Sequence, residues 1–208
     1  MPAAPARGLT PGIPLVSLAT FLSASFRHPS VVGAIAPSSR HLAACMIRAA
    51  DLRDGQVVVE VGSGTGPVTR ALASIDRTLP RFALEPLPEL AAATRRAAPG
   101  VEVIEAGAEQ LCDLLAARGL GPADRIISSL PFAAWTEPRQ RQVLEGLLAA
   151  LAADGRMVTF TYALSPLLAS GRRVRRLLER SFGRVGTTPV VWRNLPPAFV
   201  YVCDRADQ

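Results

Sequence analysis

From position 56 onward, short apolar runs alternate with longer stretches in which apolar residues recur every three or four positions. The short runs, 57–61, 81–85, 101–105, 125–129 and 156–162, have the length and composition of strands. Alanine- and leucine-rich stretches such as 87–97 and 138–153 separate them and carry helical spacing. Apolar strands of this kind, alternating with helices, predict a parallel sheet covered on both faces. A further helix spans 167–182, and two last strand-like runs, 185–192 and 198–203, are joined by "RNLPP". A link that short joins antiparallel neighbours. The expected fold is α/β, with a mainly parallel seven-stranded sheet, an antiparallel C-terminal hairpin and helices preceding it.

Residues 1–14 hold four prolines and read as a loose start. An amphipathic helix follows, with Leu15, Leu18, Leu22 and Phe26 on one stripe. "APSSRHLAACMIRAAD" begins a second helix, with Ser38 or Ser39 as N-cap after Pro37. The expected organisation is an N-terminal extension over 1–30 and one domain over 31–208. With 208 residues, 49% of them hydrophobic, the chain has material for one sizeable core.

Composition narrows the chemistry. Cys45, Cys112 and Cys203 are far apart and odd in number, which points to a reducing, cytoplasmic compartment and to neither a disulfide scaffold nor a zinc site. Two histidines, His28 and His41, do not make a metal centre. The net charge is +6, and all 23 basic residues are arginine. That balance favours an anionic partner, a nucleic acid or an acidic membrane surface. No apolar run is long enough to span a bilayer. Residues 13–26 resemble a signal-peptide core, but only Arg7 precedes them and the cleavage pattern is poor, so the segment is read as part of the protein.

"VVVEVGSGTGPVT" closes the first strand with Gly62, Gly64 and Gly66, at the strand end where open α/β sheets bind ligands. Bare backbone there lets a ligand touch the main chain. A dinucleotide fingerprint needs glycine at 67, where the chain has Pro67, and a P-loop needs a lysine, which it lacks entirely. S-adenosylmethionine fits better. Its sulfonium and ammonium groups are cationic, and Glu60 offers a counter-charge. Glu85, ending the second strand ahead of Pro86, is placed to accept from both ribose hydroxyls. Five parallel strands followed by a hairpin is also the layout of Rossmann-like class I methyltransferases. After the third strand, where such enzymes often carry an acid for the adenine amino group, the chain has Gly107. Either Glu109 takes over or the backbone of Ala108 does the work. Ser63 completes the loop.

"SSLPFAAW" follows the fourth strand, where methyl acceptors sit in this fold. Adenine and amide N-methyltransferases place Asn/Asp-Pro-Pro-Tyr or Asn-Leu-Pro-Tyr there. Here Ser129 and Phe132 flank Leu130 and Pro131. Serine accepts weakly from an exocyclic base amine, which counts against base methylation.

"HPSVVGAIAPSSRHLA", "VEVGSGTGPVTRAL", "SSLPF", "FTYALSP" and "NLPPAFVY" together resemble, in order and spacing, the bacterial phospholipid N-methyltransferases. The resemblance covers about 26–204, nearly the whole chain. "GAIAPSS" and "NLPPAFVY" are its discriminating pieces; Gly107, Ser63 and Pro67 depart from the usual pattern. This family methylates the amine of phosphatidylethanolamine towards phosphatidylcholine, includes ornithine-lipid methyltransferases, and is related to rRNA adenine dimethyltransferases. The resemblance implies an S-adenosylmethionine-dependent enzyme, peripherally attached to a membrane.

Several side chains suit such a substrate. Along 167–182, Val174, Leu177, Leu178 and Phe182 form an apolar stripe beside a basic face of Arg172, Arg173, Arg176 and Arg180. Either this helix lies on an anionic membrane or it packs on the sheet as an ordinary crossover. The 15–26 helix is a second membrane candidate. Methyl transfer by in-line displacement needs alignment and no metal. Tyr162 is placed to orient the amine or relay its proton. Phe132 and Tyr162 either hold the methylated cation against their rings or plug the core. Asn194 either polarises the head group or caps a turn. No residue stands out as general base. The rival readings are an RNA adenine N6-methyltransferase, a small-molecule N-methyltransferase, and a regulator that binds the cofactor without catalysis.

Overall fold

The computed structural model describes residues 38–76 and 78–205. The expected extension over 1–30, its helix and His28 lie outside the described residues. The first described helix, α1, spans Arg40–Ala50 and starts where the Ser39 hydroxyl accepts from the Leu42 N–H at 3.2 Å. Strand β1 (Val58–Val61) leads to α2 (Pro67–Ala73). Strand β2 (Arg81–Leu84) leads to α3 (Pro88–Ala97), and β3 (Glu102–Ile104) to α4 (Leu111–Ala117). Next come β4 (Ala123–Ser128), α5 (Glu137–Ala150), β5 (Leu151–Tyr162) and α6 (Ala169–Ser181). Strands β6 (Arg184–Thr187) and β7 (Ala198–Asp204) close the order.

The seven strands form one sheet in the order β3-β2-β1-β4-β5-β7-β6. The first five are parallel, and β7 runs antiparallel to both β5 and β6. Strand order reverses between β1 and β4, so this is the topological switch point at which such sheets bind ligands. Alternate residues of each strand enter opposite layers. Leu42 and Met46 of α1 and Leu72 of α2 pack on Val58, Ile127 and Val158. On the other face, Leu111, Leu144, Leu147 and Leu178 from α4, α5 and α6 pack on Phe82, Ile126 and Met157.

Three boundaries differ from the sequence reading, and one open alternative is decided. Helix α5 stops at Ala150, because Leu151 already pairs with Ala123; a register shift then leads into the regular β4–β5 ladder. Strand β6 ends at Thr187 instead of reaching 192. Pro189 has no N–H to donate to a ladder, and Val191 returns only as an isolated bridge to Ala198. Strand β3 is confined to three residues. The apolar stripe of the 167–182 helix is core: Val174, Leu178 and Phe182 are 6%, 1% and 6% exposed. That stripe cannot also lie in a membrane, so α6 is a crossover helix with Arg172, Arg175, Arg176 and Arg180 exposed and Arg173 partly buried.

Candidate functional site

Because β1 to β5 are parallel, their carboxyl ends share one edge of the sheet. That edge carries Gly62 after β1, Glu85 after β2, Gly107 beyond β3, Ser129 after β4 and Tyr162 at the end of β5.

The glycine loop is held to β2. The N–H groups of Gly62 and Ser63 both donate to the Leu84 carbonyl, at 2.9 and 3.1 Å, and Gly66 N–H donates to the Ser63 carbonyl at 2.9 Å. Gly62, Gly64 and Gly66 have φ of 78°, 59° and 85°, the left-handed region that side chains disfavour. Their surroundings separate their tasks. A Cβ on Gly66 would sit 3.1 Å from the Thr94 Cα and the Ala97 Cβ, so Gly66 lets α3 approach the loop. A Cβ on Gly64 would meet nothing within 4 Å, so its bare face opens onto free space. Thr94 is a site residue that the sequence reading missed. Fully buried, it accepts from the Ser63 hydroxyl at 3.2 Å and donates to the Gly64 carbonyl at 2.8 Å. Only the fold brings this helix residue to the loop.

Glu85 is 5% exposed and braces the same loop. One carboxylate oxygen accepts from Gly64 N–H at 2.8 Å and the other from Leu87 N–H at 3.2 Å. Each oxygen keeps a second lone pair, enough for two hydroxyl donors. Pro86 and Leu87 beside it are exposed.

Glu60 is fully buried, and neither carboxylate oxygen has a hydrogen-bond partner. Desolvation raises its pKa from 4.5 to about 8; Thr69 pulls the other way, and the Glu85 charge adds to the rise. The Thr69 hydroxyl itself does not reach hydrogen-bond geometry. A buried carboxyl without a partner, next to a loop of bare backbone, suits a cationic ligand, and S-adenosylmethionine is one.

At the third strand end, a Cβ on Gly107 would lie 2.7 Å from the Glu109 carboxyl group. The Glu109 carboxylate therefore fills the place of a residue-107 side chain. It is half exposed and meets the Arg139 guanidinium at 3.4 Å. Ala108 between them is buried.

On the acceptor side, Ser129 is half-buried, with its N–H donating to the Val61 carbonyl at 2.9 Å. Phe132 is 4% exposed and packs edge-on to Trp135, with ring centroids 5.5 Å apart, in the core under α5 and α6. Tyr162 packs with Phe160 in the opposite layer, so the two rings do not form one cage. Burial raises the Tyr162 phenol above its usual 10, so it stays a neutral hydroxyl at working pH. Gln140, also missed from sequence, fixes the loop after β4 by donating from Nε2 to the Phe132 and Trp135 carbonyls at 2.7 and 3.1 Å.

Of the two roles offered for Asn194, the structure shows the turn cap. Asn194 is 5% exposed, its Oδ1 accepts from Ser39 N–H at 2.9 Å, and its Nδ2 donates to the Pro196 carbonyl at 2.7 Å. Both ends of the amide are engaged in tying the β6–β7 connection to the start of α1. Among the described residues no group of His, Cys, Asp or Glu is arranged to hold a metal ion.

Sheet order and glycine loop define a class I methyltransferase fold, and solved structures agree. The N-methyltransferase NodS from Bradyrhizobium japonicum superposes with a TM-score of 0.63 at 11% identity, over 80% of this chain and 95% of that one. TrmN from Thermus thermophilus gives 0.61 at 23% identity over 79% of this chain, which spans only 48% of TrmN. Magnesium protoporphyrin IX methyltransferase from Synechocystis, solved with S-adenosylmethionine bound, gives 0.56 at 14% identity over 95% of this chain and 86% of that one. No protein-family model matches the chain. The ornithine lipid N-methyltransferase of Singulisphaera acidiphila is 32% identical over 189 residues, 88% of this chain and 93% of that protein. The chain belongs to the bacterial lipid N-methyltransferase family and is an S-adenosylmethionine-dependent N-methyltransferase. No described helix is long and apolar enough to cross a membrane.

Proposed function

We propose that the protein methylates the primary amine of a phospholipid head group, phosphatidylethanolamine towards phosphatidylcholine, while attached to the cytoplasmic face of a membrane. The observation that carries this reading is its similarity, over most of the chain, to an enzyme named for methylating an amine-bearing lipid. Bound at the switch point, S-adenosylmethionine supplies an electrophilic methyl group on a sulfonium. Gly62, Ser63, Gly64 and Gly66 present main chain to it, and Glu60 supplies the counter-charge. Glu85, with Pro86 alongside, receives the ribose hydroxyls on its free lone pairs. Ala108 and Glu109 bound the adenine end, Glu109 taking the place that Gly107 leaves empty. Ser129 lies between the cofactor and acceptor sides.

The acceptor amine is largely protonated at neutral pH and gives that proton to water before its lone pair attacks. Tyr162, held as a phenol, orients the amine by accepting an N–H; it does not abstract the proton. Much of the rate then comes from alignment. The exposed Arg172, Arg176 and Arg180, with the half-buried Arg173, give α6 a positive outer face towards anionic lipid. The test is transfer of labelled methyl from S-adenosylmethionine with the purified protein, offered phosphatidylethanolamine vesicles, ornithine-lipid vesicles or an adenine-containing RNA. Label in phosphatidylethanolamine supports the reading. Label confined to ornithine lipid or to RNA overturns it.

A further inference from the structure

With its apolar stripe inside the core, α6 offers a membrane charge and no hydrocarbon contact. The exposed apolar side chains lie elsewhere. Among the described residues, the large hydrophobic side chains left exposed are Leu87, Leu164, Leu167, Trp192 and Leu195. Leu87 belongs to the cofactor side. The other four emerge from two connections tied together at one point of the fold. Tyr162, the last residue of β5, pairs with Ala198, the first of β7. Ala163 N–H donates to the Pro197 carbonyl at 2.8 Å, and Val191 N–H donates to the Ala198 carbonyl at 2.7 Å. Leu167 N–H donates to the Leu164 carbonyl at 3.1 Å, folding the β5–α6 link into a short turn at the same place. The four side chains are 48%, 68%, 76% and 78% exposed, for Leu164, Leu167, Trp192 and Leu195 in that order.

This rim stands at the carboxyl end of β5, on the edge that carries the glycine loop and Ser129. It is also well supported: buried Asn194, between Trp192 and Leu195, spends its amide on Ser39 and Pro196. Positive charge flanks it. Arg193 is exposed next to Trp192, and exposed Arg172 donates to the Leu167 carbonyl at 2.7 Å.

We propose that Leu164, Leu167, Trp192 and Leu195 form the membrane-inserting rim of the enzyme, seating its acceptor edge on an anionic phospholipid bilayer. The inference rests on the reading that the substrate is a membrane lipid amine. Three leucines and an indole held in water on a fixed base gain by entering the head-group and acyl boundary, where an indole's mixed character is at home. Arg172 and Arg193 then lie level with lipid phosphates, and the chain's net charge of +6 draws it to such a surface. Seated this way, the amine reaches the cleft from the bilayer surface without the lipid leaving the membrane.

Trp192 is itself the reporter. The chain has two tryptophans, so the difference between wild-type and Trp192→Phe emission spectra isolates its signal. On adding phosphatidylglycerol/phosphatidylcholine vesicles, that difference signal moves to shorter wavelength and is quenched by lipids brominated near the head-group end of the chains. Leu167→Ala with Leu195→Ala lowers vesicle partitioning by about tenfold or more. A Trp192 signal unmoved while the protein floats with vesicles overturns the proposal. So does a signal already shifted without vesicles, in a dimer that the double substitution dissolves, since a second copy then covers the rim. Methylation of phosphatidylethanolamine added to the same vesicles separates the two levels of the argument. Insertion without methylation sinks the substrate reading and leaves the rim standing. Full-rate methylation by the double variant sinks the rim and leaves the substrate reading.

Discussion

At the scale of the residue, Glu60 ties the stability of the ligand-free protein to pH. Its carboxyl is fully buried and holds its proton up to about pH 8, whereas in the unfolded chain it ionises near 4.5. Between those values the folded protein binds the extra proton, so this group makes stability fall as pH rises. A bound cation reverses the balance by favouring the carboxylate. Glu60→Gln is therefore expected to raise the ligand-free melting temperature relative to wild type at pH 8, with the gap closing towards pH 5, and to weaken S-adenosylmethionine binding. Thermal melts and calorimetry across that range test both. A wild-type-minus-variant difference that does not change with pH would contradict the assignment. That Glu60 and Glu85 stand close to the glycine loop was legible from sequence, because each lies at the carboxyl end of a strand. Thr94 was not, since its partners Ser63 and Gly64 lie on a loop far away in the chain, and Gln140 was not, since its amide turns back onto the carbonyls of a nearby loop whose shape only the fold shows.

At the scale of the element, the glycine loop divides into a packing part and a ligand-facing part. Both Gly64→Ala and Gly66→Ala place a side chain at positive φ, a cost of about 1–2 kcal/mol. Gly66→Ala also drives a methyl against the Thr94 backbone, so it is expected to lower the melting temperature more. Gly64→Ala has room for its methyl in the empty protein and is expected to lose more cofactor affinity for the same or smaller loss of stability. Equal effects of the two on both readouts would remove the distinction. The alternation of strands and helices was readable, because its period is set by burial on two faces. Helix α6 shows the limit. A stripe of Val174, Leu178 and Phe182 beside arginines is the same pattern whether it meets a sheet or a lipid, and only the position of the sheet decides. Helix and strand ends near 150 and 187 slipped for a related reason, since pairing and the missing N–H of Pro189 set them more than propensity does.

At the scale of the whole molecule, the last residue of "GAIAPSS" meets the first of "NLPPAFVY". Asn194 from the second accepts from Ser39 at the end of the first, joining the start of α1 to the connection that carries Trp192 and Leu195. Asn194→Ala leaves the part-buried Ser39 N–H without its acceptor and is expected to cost about 1 kcal/mol. Lower stability with unchanged cofactor affinity is the predicted result; unchanged stability would mean the link contributes nothing. From sequence, this asparagine reads either as a head-group contact or as a turn cap, and the motif alone does not decide between them. Its partner, some 155 positions away in the chain, was invisible until the fold closed. The same closure places cofactor loop, acceptor loop and apolar rim on one edge, the arrangement a lipid N-methyltransferase needs. The most direct measurement of that claim is the lipid profile, by mass spectrometry, of a bacterium that makes phosphatidylethanolamine but no phosphatidylcholine, once it expresses this protein. Mono-, di- or trimethylated phosphatidylethanolamine is the predicted result, and unchanged lipids beside a stable, cofactor-loaded protein would contradict it.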